Sequence, residues 1–195
     1  MEREIIMGGI GGQGVQLATK ILAHALNSEN RQVMHFAAFG GTMRGGNVEC
    51  TVVTGDRELL APPMIPLAWL TIAMHESPEE IVKPKTRKGG IYVVNSSLMP
   101  KATAPAGATL FKVPASALAE KLNNVQGASM VMLGAVCRAT GLVSLAALEA
   151  ALKANTPSYR QQTVAENAKA FQAGDQWAAQ NLKDFKSKAW AVAVA

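Results

Sequence analysis

Short apolar runs alternate with helical patterns from the start of the chain to Val113. The apolar runs predict strands at Glu4–Met7, Gln32–Phe36, Val48–Thr54, Leu67–Met74, Ile91–Asn95 and Thr109–Val113. Apolar residues spaced three and four apart predict a helix over Val15–Asn27. Strands that alternate with helices are typical of an α/β fold, and we expect a Rossmann-like open sheet with helices on both faces and a helical C-terminal part.

The pattern after Val113 is almost entirely helical. It predicts helices at Ala115–Leu122, Ala128–Thr140, Leu145–Ala154 and Tyr159–Leu182. Ser144 is the expected N-cap of the third of these helices. Ser77 is the expected N-cap of a further short helix, with Pro78 in its first turn and Pro84 limiting it.

We expect a single domain over residues 1–182 and a C-terminal tail over residues 183–195. The alanine-rich C-terminal helix and the apolar segment Trp190–Val194 are predicted to pack on a partner subunit. Truncation after Lys183 should then weaken a complex and leave the sheet folded.

Composition and charge narrow the function classes. The chain has 195 residues, of which 49% are hydrophobic and 17% charged, as in ordinary globular proteins. Cys50 lies inside a predicted strand and Cys137 inside a predicted helix, which indicates packed thiols. Two cysteines are too few to hold an iron–sulfur cluster, which takes about four thiolates. The three histidines lack zinc spacing, so we expect no metal site. With no signal segment and no apolar run long enough for a membrane, we expect a cytoplasmic protein.

The formal net charge of +5 has a local source in Lys83, Lys85, Arg87 and Lys88. This basic cluster has two interpretations: a solvated face, or a surface that attracts a polyanionic small molecule or an acidic partner subunit. Because few aromatic residues are interleaved with it, we do not expect nucleic-acid binding.

The strongest motif is the glycine segment Gly9–Gly14, which follows the first strand and opens the first helix. This context is that of a dinucleotide-binding loop, in which backbone N–H groups approach a phosphate. The acid that would bind a ribose is missing from the end of the second strand, at Val33–Ala37. The loop therefore fits a phosphate-bearing ligand better than NAD, and the alternative is a glycine turn packed against another chain.

Two further segments fall at the same edge of the predicted sheet. Arg44, held between glycines, has a planar fork that suits phosphate or carboxylate, and it could also pair with a partner's acid. Asn95, Ser96 and Ser97 follow the fifth strand and could bind a polar ligand or cap a turn. No catalytic triad, nucleophile elbow or Walker loop is present, so we assign no catalytic residue.

Five segments in this order and spacing resemble the gamma subunit of 2-oxoacid oxidoreductases that use ferredoxin or another acceptor. They are Gly-Gly-Gln-Gly at 11–14, Met-Arg-Gly-Gly at 43–46, Cys-Thr-Val-Val at 50–53, Gly-Gly-Ile-Tyr-Val-Val-Asn-Ser-Ser at 89–97 and Val-Met-Leu-Gly at 131–134. Residues 44–53 and 88–98 look most like the 2-oxoglutarate type, while pyruvate, phenylglyoxylate and indolepyruvate enzymes are relatives. The sequence departs from the family pattern at Thr42, usually an acid, and at Ser129, often Asn.

The resemblance implies an oxidoreductase complex that converts a 2-oxoacid and coenzyme A (CoA) to acyl-CoA and CO₂, with electrons passing to ferredoxin or NAD. Thiamine diphosphate, Mg²⁺ and 4Fe–4S clusters would belong to the alpha, beta and ferredoxin-like delta subunits, with a flavin or NAD subunit also possible. This chain would not be catalytic alone. It would help to assemble the complex and to bind CoA through Gly9, Gly11, Gly12, Gln13, Gly14, Arg44, Asn95 and Ser96.

Two alternatives stay open at this point. The chain could be a purely structural subunit whose glycine loops contact only protein, or a free-standing nucleotide-binding enzyme of Rossmann type. Binding of CoA would favour the CoA-binding gamma subunit over both alternatives. Binding of nicotinamide or flavin would favour the free-standing enzyme.

Overall fold

The computed structural model describes residues 1–39, 45–59, 63–183, 185 and 188–190. Its strands are β1 (Glu2–Ile10), β2 (Gln32–Phe39), β3 (Asn47–Gly55), β4 (Ala68–Ala73), β5 (Thr86–Asn95) and β6 (Thr109–Val113). Its α-helices are α1 (Val15–Ser28), α2 (Glu79–Val82), α3 (Ala115–Lys121), α4 (Ala128–Thr140), α5 (Leu145–Asn155) and α6 (Gln162–Asn181). Three single 3₁₀ turns lie at Lys83–Lys85, Val125–Gly127 and Ser158–Arg160.

The six strands form one sheet in the order β2-β3-β1-β4-β5-β6. β1, β4, β5 and β6 run parallel, whereas β3 is antiparallel to both β1 and β2. The predicted α/β class and open sheet are confirmed, and the hairpin of β2 and β3 makes the sheet mixed. The carboxyl ends of β1, β2, β4, β5 and β6 all lie at one edge, which we call the carboxyl edge.

Helices pack on both faces of the sheet, but unequally. One face carries the large core, in which α1, α4 and α6 cover side chains such as Ile5, Leu70 and Val93. The other face carries the short α2, whose Val82 packs with Ile6 and Ala68.

Helix α4 is the central helix, with every residue buried except Arg138. Its bounds match the predicted segment, and α6 packs along it. Gly134 of α4 and Gly174 of α6 face each other's backbones, so the two helices approach more closely than side chains would allow. This contact fixes the position of α6 over the core.

The start of α2 differs from the prediction. Pro78 occupies the N-cap position and no side chain caps the helix. The Ser77 hydroxyl instead donates to Asn47 Oδ1, at 2.7 Å across the carboxyl edge. The prediction of a Ser77 cap was therefore wrong, whereas Ser144 does cap α5 by accepting a bond from the Ala147 N–H at 3.2 Å.

The described part of the C-terminal tail packs on its own chain. The Ala189 N–H donates to the Thr140 carbonyl at 2.8 Å, and the Trp190 indole N–H donates to the Leu142 carbonyl at 2.9 Å. Arg31 stacks on the Trp190 ring, with 3.9 Å between the guanidinium carbon and the ring centroid. Contact of the tail with a partner subunit stays a prediction, and residues 191–194 of the apolar segment lie outside the described residues. The boundary after residue 182 stays a prediction.

Three members of the basic cluster are paired with acids of the same chain. Lys83 lies 3.6 Å from Glu79, Lys85 lies 2.7 Å from Glu49 and Arg87 lies 3.1 Å from Glu4. These partly buried pairs neutralise most of the local charge. The structure therefore favours the solvated face over a polyanion-binding surface.

Both cysteines are packed thiols, as the sequence indicated. Burial raises the pKa of Cys50 and raises the pKa of Cys137 to about 12. Burial and a raised pKa disfavour the reactive thiolate at both positions, in keeping with a packing role.

His35 predicts a pH dependence of stability. Burial, followed by the nearby His24 and Lys20, lowers the pKa of His35, whose Nε2 lies 3.1 Å from Thr19 Oγ1. The unfolded chain therefore binds more protons than the fold just below the ordinary histidine pKa of about 6.5. The free energy of unfolding should fall as the pH decreases from 7 through 6, and His35→Gln should flatten this fall. Urea titrations of both proteins at several pH values measure it; equal slopes would contradict the assignment.

Candidate functional site

The glycine loop lies where the connections of the sheet diverge. From β1 the chain crosses to β2 on one side, and from β4 it crosses to β5 on the other. Gln13 bridges these two strands, because its Oε1 accepts the Ile10 N–H at 3.0 Å and its Nε2 donates to the Met74 carbonyl at 3.5 Å. Ligands of open α/β sheets bind at such a divergence.

Two glycines give the loop its shape. Gly12 has φ +105° and Gly14 has φ +73°, in the left-handed region that L side chains rarely adopt. Gly12 is exposed, and a Cβ added to it would have no atom of the described chain within 4 Å. Gly14 is the N-cap of α1, with no side-chain bond to the helix. The loop thus presents open backbone to solvent at a helix N-terminus.

The second glycine segment lies beside the first. Gly11 N–H donates to the Gly46 carbonyl at 2.9 Å, and Gly45 N–H donates to the Gly11 carbonyl at 3.4 Å. The prediction that both segments emerge on the same side is therefore confirmed. Arg44 itself lies outside the described residues.

A cleft of about 420 Å³ opens beside Gly12 and Gly14. Its other walls are the first turn of α4, the segment Asn155–Arg160 and the first turns of α6. The N-caps of the helices at its walls, Gly14, Gly127 and Gln161, form no side-chain cap bonds. Since each helix start carries about half a positive charge, the cleft favours an anion.

Ser129 lies behind the glycine loop. Its hydroxyl is fully buried and has no hydrogen-bond partner in the part of the chain that the structure describes. The Oγ atom lies 2.9 Å from the position that a Cβ on Gly14 would occupy. Two constraints therefore favour glycine at position 14. Its φ angle is positive, and a Cβ would come too close to Ser129 Oγ.

Of the predicted site residues, the structure brings Gly12 and Gly14 to the cleft wall, while Gly11 and Gln13 shape the loop behind them. Gly9 is buried in β1, where an added Cβ would lie 2.8 Å from Gln13 Oε1. It supports the loop and offers no surface to a ligand.

Asn95 and Ser96 lie away from this cleft, two strands from β1. The Asn95 amide is fully buried and donates to the Met74 carbonyl at 3.3 Å and to Ser116 Oγ at 2.8 Å. Asn95 Oδ1 and Ser97 Oγ accept the Ser116 and Ala117 N–H groups, which caps α3. Of the two interpretations of this segment, the structure favours capping, and Ser96 N–H pairs with the Val113 carbonyl at 2.8 Å.

The wall of the cleft opposite the glycine loop was not predicted from the sequence. Gln126, Arg160 and Thr163 come from segments that were assigned only to helices or their connections. Pro157 was the available signal, because a proline followed by polar residues marks a helix start within the segment predicted as Tyr159–Leu182. The segments that contain Gln126, Arg160 and Thr163 carry no phosphate-loop motif. No local pattern therefore indicated a site there.

Comparison with models of protein families shows the family of this chain. The model described as "Pyruvate ferredoxin/flavodoxin oxidoreductase" matches residues 4–177. The chain belongs to this family. The 2-oxoglutarate synthase subunit KorC of Methanocaldococcus jannaschii is 30% identical over 160 residues, which cover 80% of this chain and 85% of the relative. The resemblance predicted from the sequence is confirmed.

Solved structures share the fold of this chain. The gamma subunit of a keto/oxoacid ferredoxin oxidoreductase from Geobacter sulfurreducens superposes with a TM-score of 0.76 at 27% identity, covering 91% of this chain and 99% of that one. The 2-oxoglutarate:ferredoxin oxidoreductase of Magnetococcus marinus, solved with 2-oxoglutarate, coenzyme A and succinyl-CoA bound, has a TM-score of 0.81 at 21% identity. The match covers 96% of this chain and 32% of the Magnetococcus chain, and it shows a shared fold.

The described residues offer no metal site and no membrane-spanning helix. They contain no group of three or more His, Cys, Asp or Glu side chains placed to hold a metal ion. No helix within the described ranges is both long and apolar enough to cross a membrane.

Proposed function

We propose that the chain is the gamma subunit of an oxidoreductase complex that converts a 2-oxoacid and CoA to acyl-CoA and CO₂. Family membership supports the oxidoreductase, and the 2-oxoglutarate synthase relative makes 2-oxoglutarate the first oxoacid to test. Ferredoxin is the proposed acceptor, because it appears in the name of the family. Thiamine diphosphate, Mg²⁺ and 4Fe–4S clusters are proposed to reside in partner subunits of alpha, beta and delta type.

The role of this chain within the complex is to hold part of CoA. The observation that carries this proposal is Gly12, whose left-handed backbone stands exposed at the wall of the cleft. Backbone N–H groups without side chains suit the phosphates of CoA, as do the uncapped helix starts around them. Gly9, Asn95 and Ser96 are left out of this contact set because Gly9 and Asn95 are buried and Ser96 lies outside the cleft.

Gly12→Val tests this role in the assembled complex. The valine side chain would enter the space in which the phosphates are proposed to bind, so the Michaelis constant for CoA should rise about tenfold or more, as expected for losing one charge-assisted hydrogen bond of about 1.5 kcal/mol. CO₂ release without CoA should be unchanged. Steady-state kinetics at varied CoA concentrations measure the effect.

Gly89→Val is the matched control. Gly89 also has positive φ and open space around its Cβ position, but it lies in the amino-terminal half of β5, away from the cleft. It should carry the same backbone strain and leave the Michaelis constant for CoA unchanged. If Gly12→Val assembles and keeps the CoA dependence of the unchanged complex, the loop is structural and the purely structural subunit is favoured.

The free-standing nucleotide-binding enzyme is disfavoured by the sequence around β2. No acid stands at the position that would bind a ribose. Binding of NAD to the purified chain would revive this alternative.

A further inference from the structure

An open apolar groove lies on the face of the sheet that carries α2. It has a volume of about 320 Å³ and runs between that helix and strands β2 and β3. Its apolar lining comes from Ala38, Val48, Pro78, Ile81 and Val82. The groove shares no lining residue with the cleft beside the glycine loop, so it is a separate feature of the described surface.

Two large apolar side chains are exposed at this groove. Ile81 on α2 is 48% exposed, and Phe36 on β2 is 41% exposed. Because side chains alternate along a strand, Phe36 lies on the same face of β2 as Ala38, which lines the groove. Single apolar side chains are ordinary on a protein surface, whereas a groove bordered by two large ones indicates a contact site.

The polar side chains around the groove are bonded to one another. Lys85 Nζ donates to both carboxylate oxygens of Glu49 at 2.7 Å, and the Ser77 hydroxyl donates to Asn47 Oδ1 at 2.7 Å. Covering a polar group is unfavourable unless that group is hydrogen-bonded. Since these four side chains already have partners, another protein could cover the groove with apolar side chains and would need no matching charge.

Strand β2 forms the edge of the sheet beside the groove. It pairs with β3 on one side, and no strand of the described ranges lies on its other side. Unpaired strand edges are usually covered or otherwise protected in natural proteins. The surface made by β2 and α2 therefore has two features that favour cover by another chain: exposed apolar side chains and an unpaired edge.

Two relatives indicate what covers this surface. The KorC relative is matched over 85% of its length and is a subunit in its own right. The ketoisovalerate oxidoreductase subunit VorA of Methanothermobacter thermautotrophicus is 30% identical over 93% of this chain, but the match covers only 38% of VorA. VorA therefore joins the same domain to an additional segment that is longer than the domain itself.

The additional segment of VorA points to a partner rather than to a second copy of this chain. Interfaces between domains of one chain resemble those between subunits and bury about 600–1,500 Å². A covalent link also gives the joined domains a high effective concentration. Where the domain is a separate subunit that link is missing, so the partner must be held by the contact alone, and an apolar groove can supply such a contact.

Resting on the proposed function, we propose that the groove between α2 and β2 is the docking surface for the subunit that corresponds to the additional segment of VorA. This partner places apolar side chains between Ile81 and Phe36. The Glu49–Lys85 pair lies at the rim of the contact.

Dilution of the assembled complex, followed by mass photometry, measures how tightly this chain is held. Ile81→Asp and Phe36→Asp should each weaken association about 10- to 100-fold, because each places a charge in the centre of an apolar contact. Ile81→Leu keeps the apolar surface and should associate as the unchanged chain does. Leu122→Asp is the matched control, since Leu122 is also exposed but follows α3, outside the groove.

Hydrogen exchange of the unchanged protein gives a second measurement that depends on no variant. The backbone amides of β2 and α2 should exchange more slowly in the assembled complex than in the isolated full chain. Equal exchange in these two segments would overturn the proposal. Association of the Ile81→Asp and Phe36→Asp chains with unchanged affinity would overturn it as well.

The outcomes distinguish this inference from the function on which it rests. If the chain joins no partner subunit, the proposed function fails and the inference fails with it. If the complex assembles and binds CoA but both aspartate variants keep its affinity, the inference fails alone. If the isolated chain is a dimer that Ile81→Asp dissociates, with assembly unchanged, the groove holds a second copy and the inference is likewise overturned.

Discussion

Gly174→Ala should lower the free energy of unfolding by about 3 kcal/mol, although alanine is ordinarily the better helix former by about 1 kcal/mol. A Cβ on Gly174 would overlap the Val131 carbonyl oxygen and lie 2.8 Å from the Ala135 nitrogen. Both are backbone atoms of α4, so no side chain can move aside and the helices must separate. A chain of this length should lose roughly 6–12 °C in Tm.

Gly89→Ala provides the matched control, because the same methyl group is added where the structure offers open space. Its cost should be limited to backbone strain of about 1 kcal/mol. Thermal and urea unfolding of the full chain, followed by circular dichroism, compare the two. A Gly174→Ala chain as stable as Gly89→Ala would contradict the close packing of α4 and α6.

The reciprocal glycine adds a second comparison. A Cβ on Gly134 would overlap the Phe171 carbonyl and lie 2.9 Å from its carbon atom. Once one alanine has separated the helices, a second should cost less. The double variant Gly134→Ala/Gly174→Ala should therefore lose less than the sum of the two single losses.

Trp190→Ala should lower the free energy of unfolding by about 2–3 kcal/mol, through lost apolar contact and the lost bond to the Leu142 carbonyl. The tail supplies donors to the end of α4, where Lys188 Nζ also bonds the Ala139 carbonyl at 2.7 Å. Helix ends leave such carbonyls without partners unless something caps them. The contact with Arg31 adds about 0.5–1 kcal/mol.

Trp190→Phe separates these contributions in part, because it keeps a six-membered ring for Arg31 and removes the indole N–H together with the five-membered ring. It should lose about 1 kcal/mol. Truncation after Lys183 should likewise destabilise the isolated chain, in contrast to the expectation drawn from sequence. Unfolding titrations of the chain without partners decide the matter: unchanged stability in Trp190→Ala would show that the tail contact contributes nothing.

Much of the fold followed from local patterns. The bounds of β6 and α4 match because Pro114 and Gly141 mark their ends clearly. The start of β5 at Thr86 was missed, because the polar run before Ile91 joins the sheet only through pairing of Thr86 with Ala68. The antiparallel placement of β3 between β2 and β1 also depends on pairing between distant segments.

The site was predictable only in its glycine half. Gly12 and Gly14 carry a local signature, since few other residues adopt their backbone angles. Arg160 lies far from them in sequence and reaches the same cleft because α6 packs along α4. The intrachain contacts of Trp190 were not predictable for a related reason: an apolar segment indicates burial, but not which chain buries it.

A structure of the assembled complex with CoA bound tests the central claim most directly. We predict density for the CoA phosphates beside Gly12 and Gly14, in the cleft that Arg160 also lines. CoA bound elsewhere in the complex, with a partner subunit packed into this cleft, would contradict the account and show that the glycine loop serves assembly.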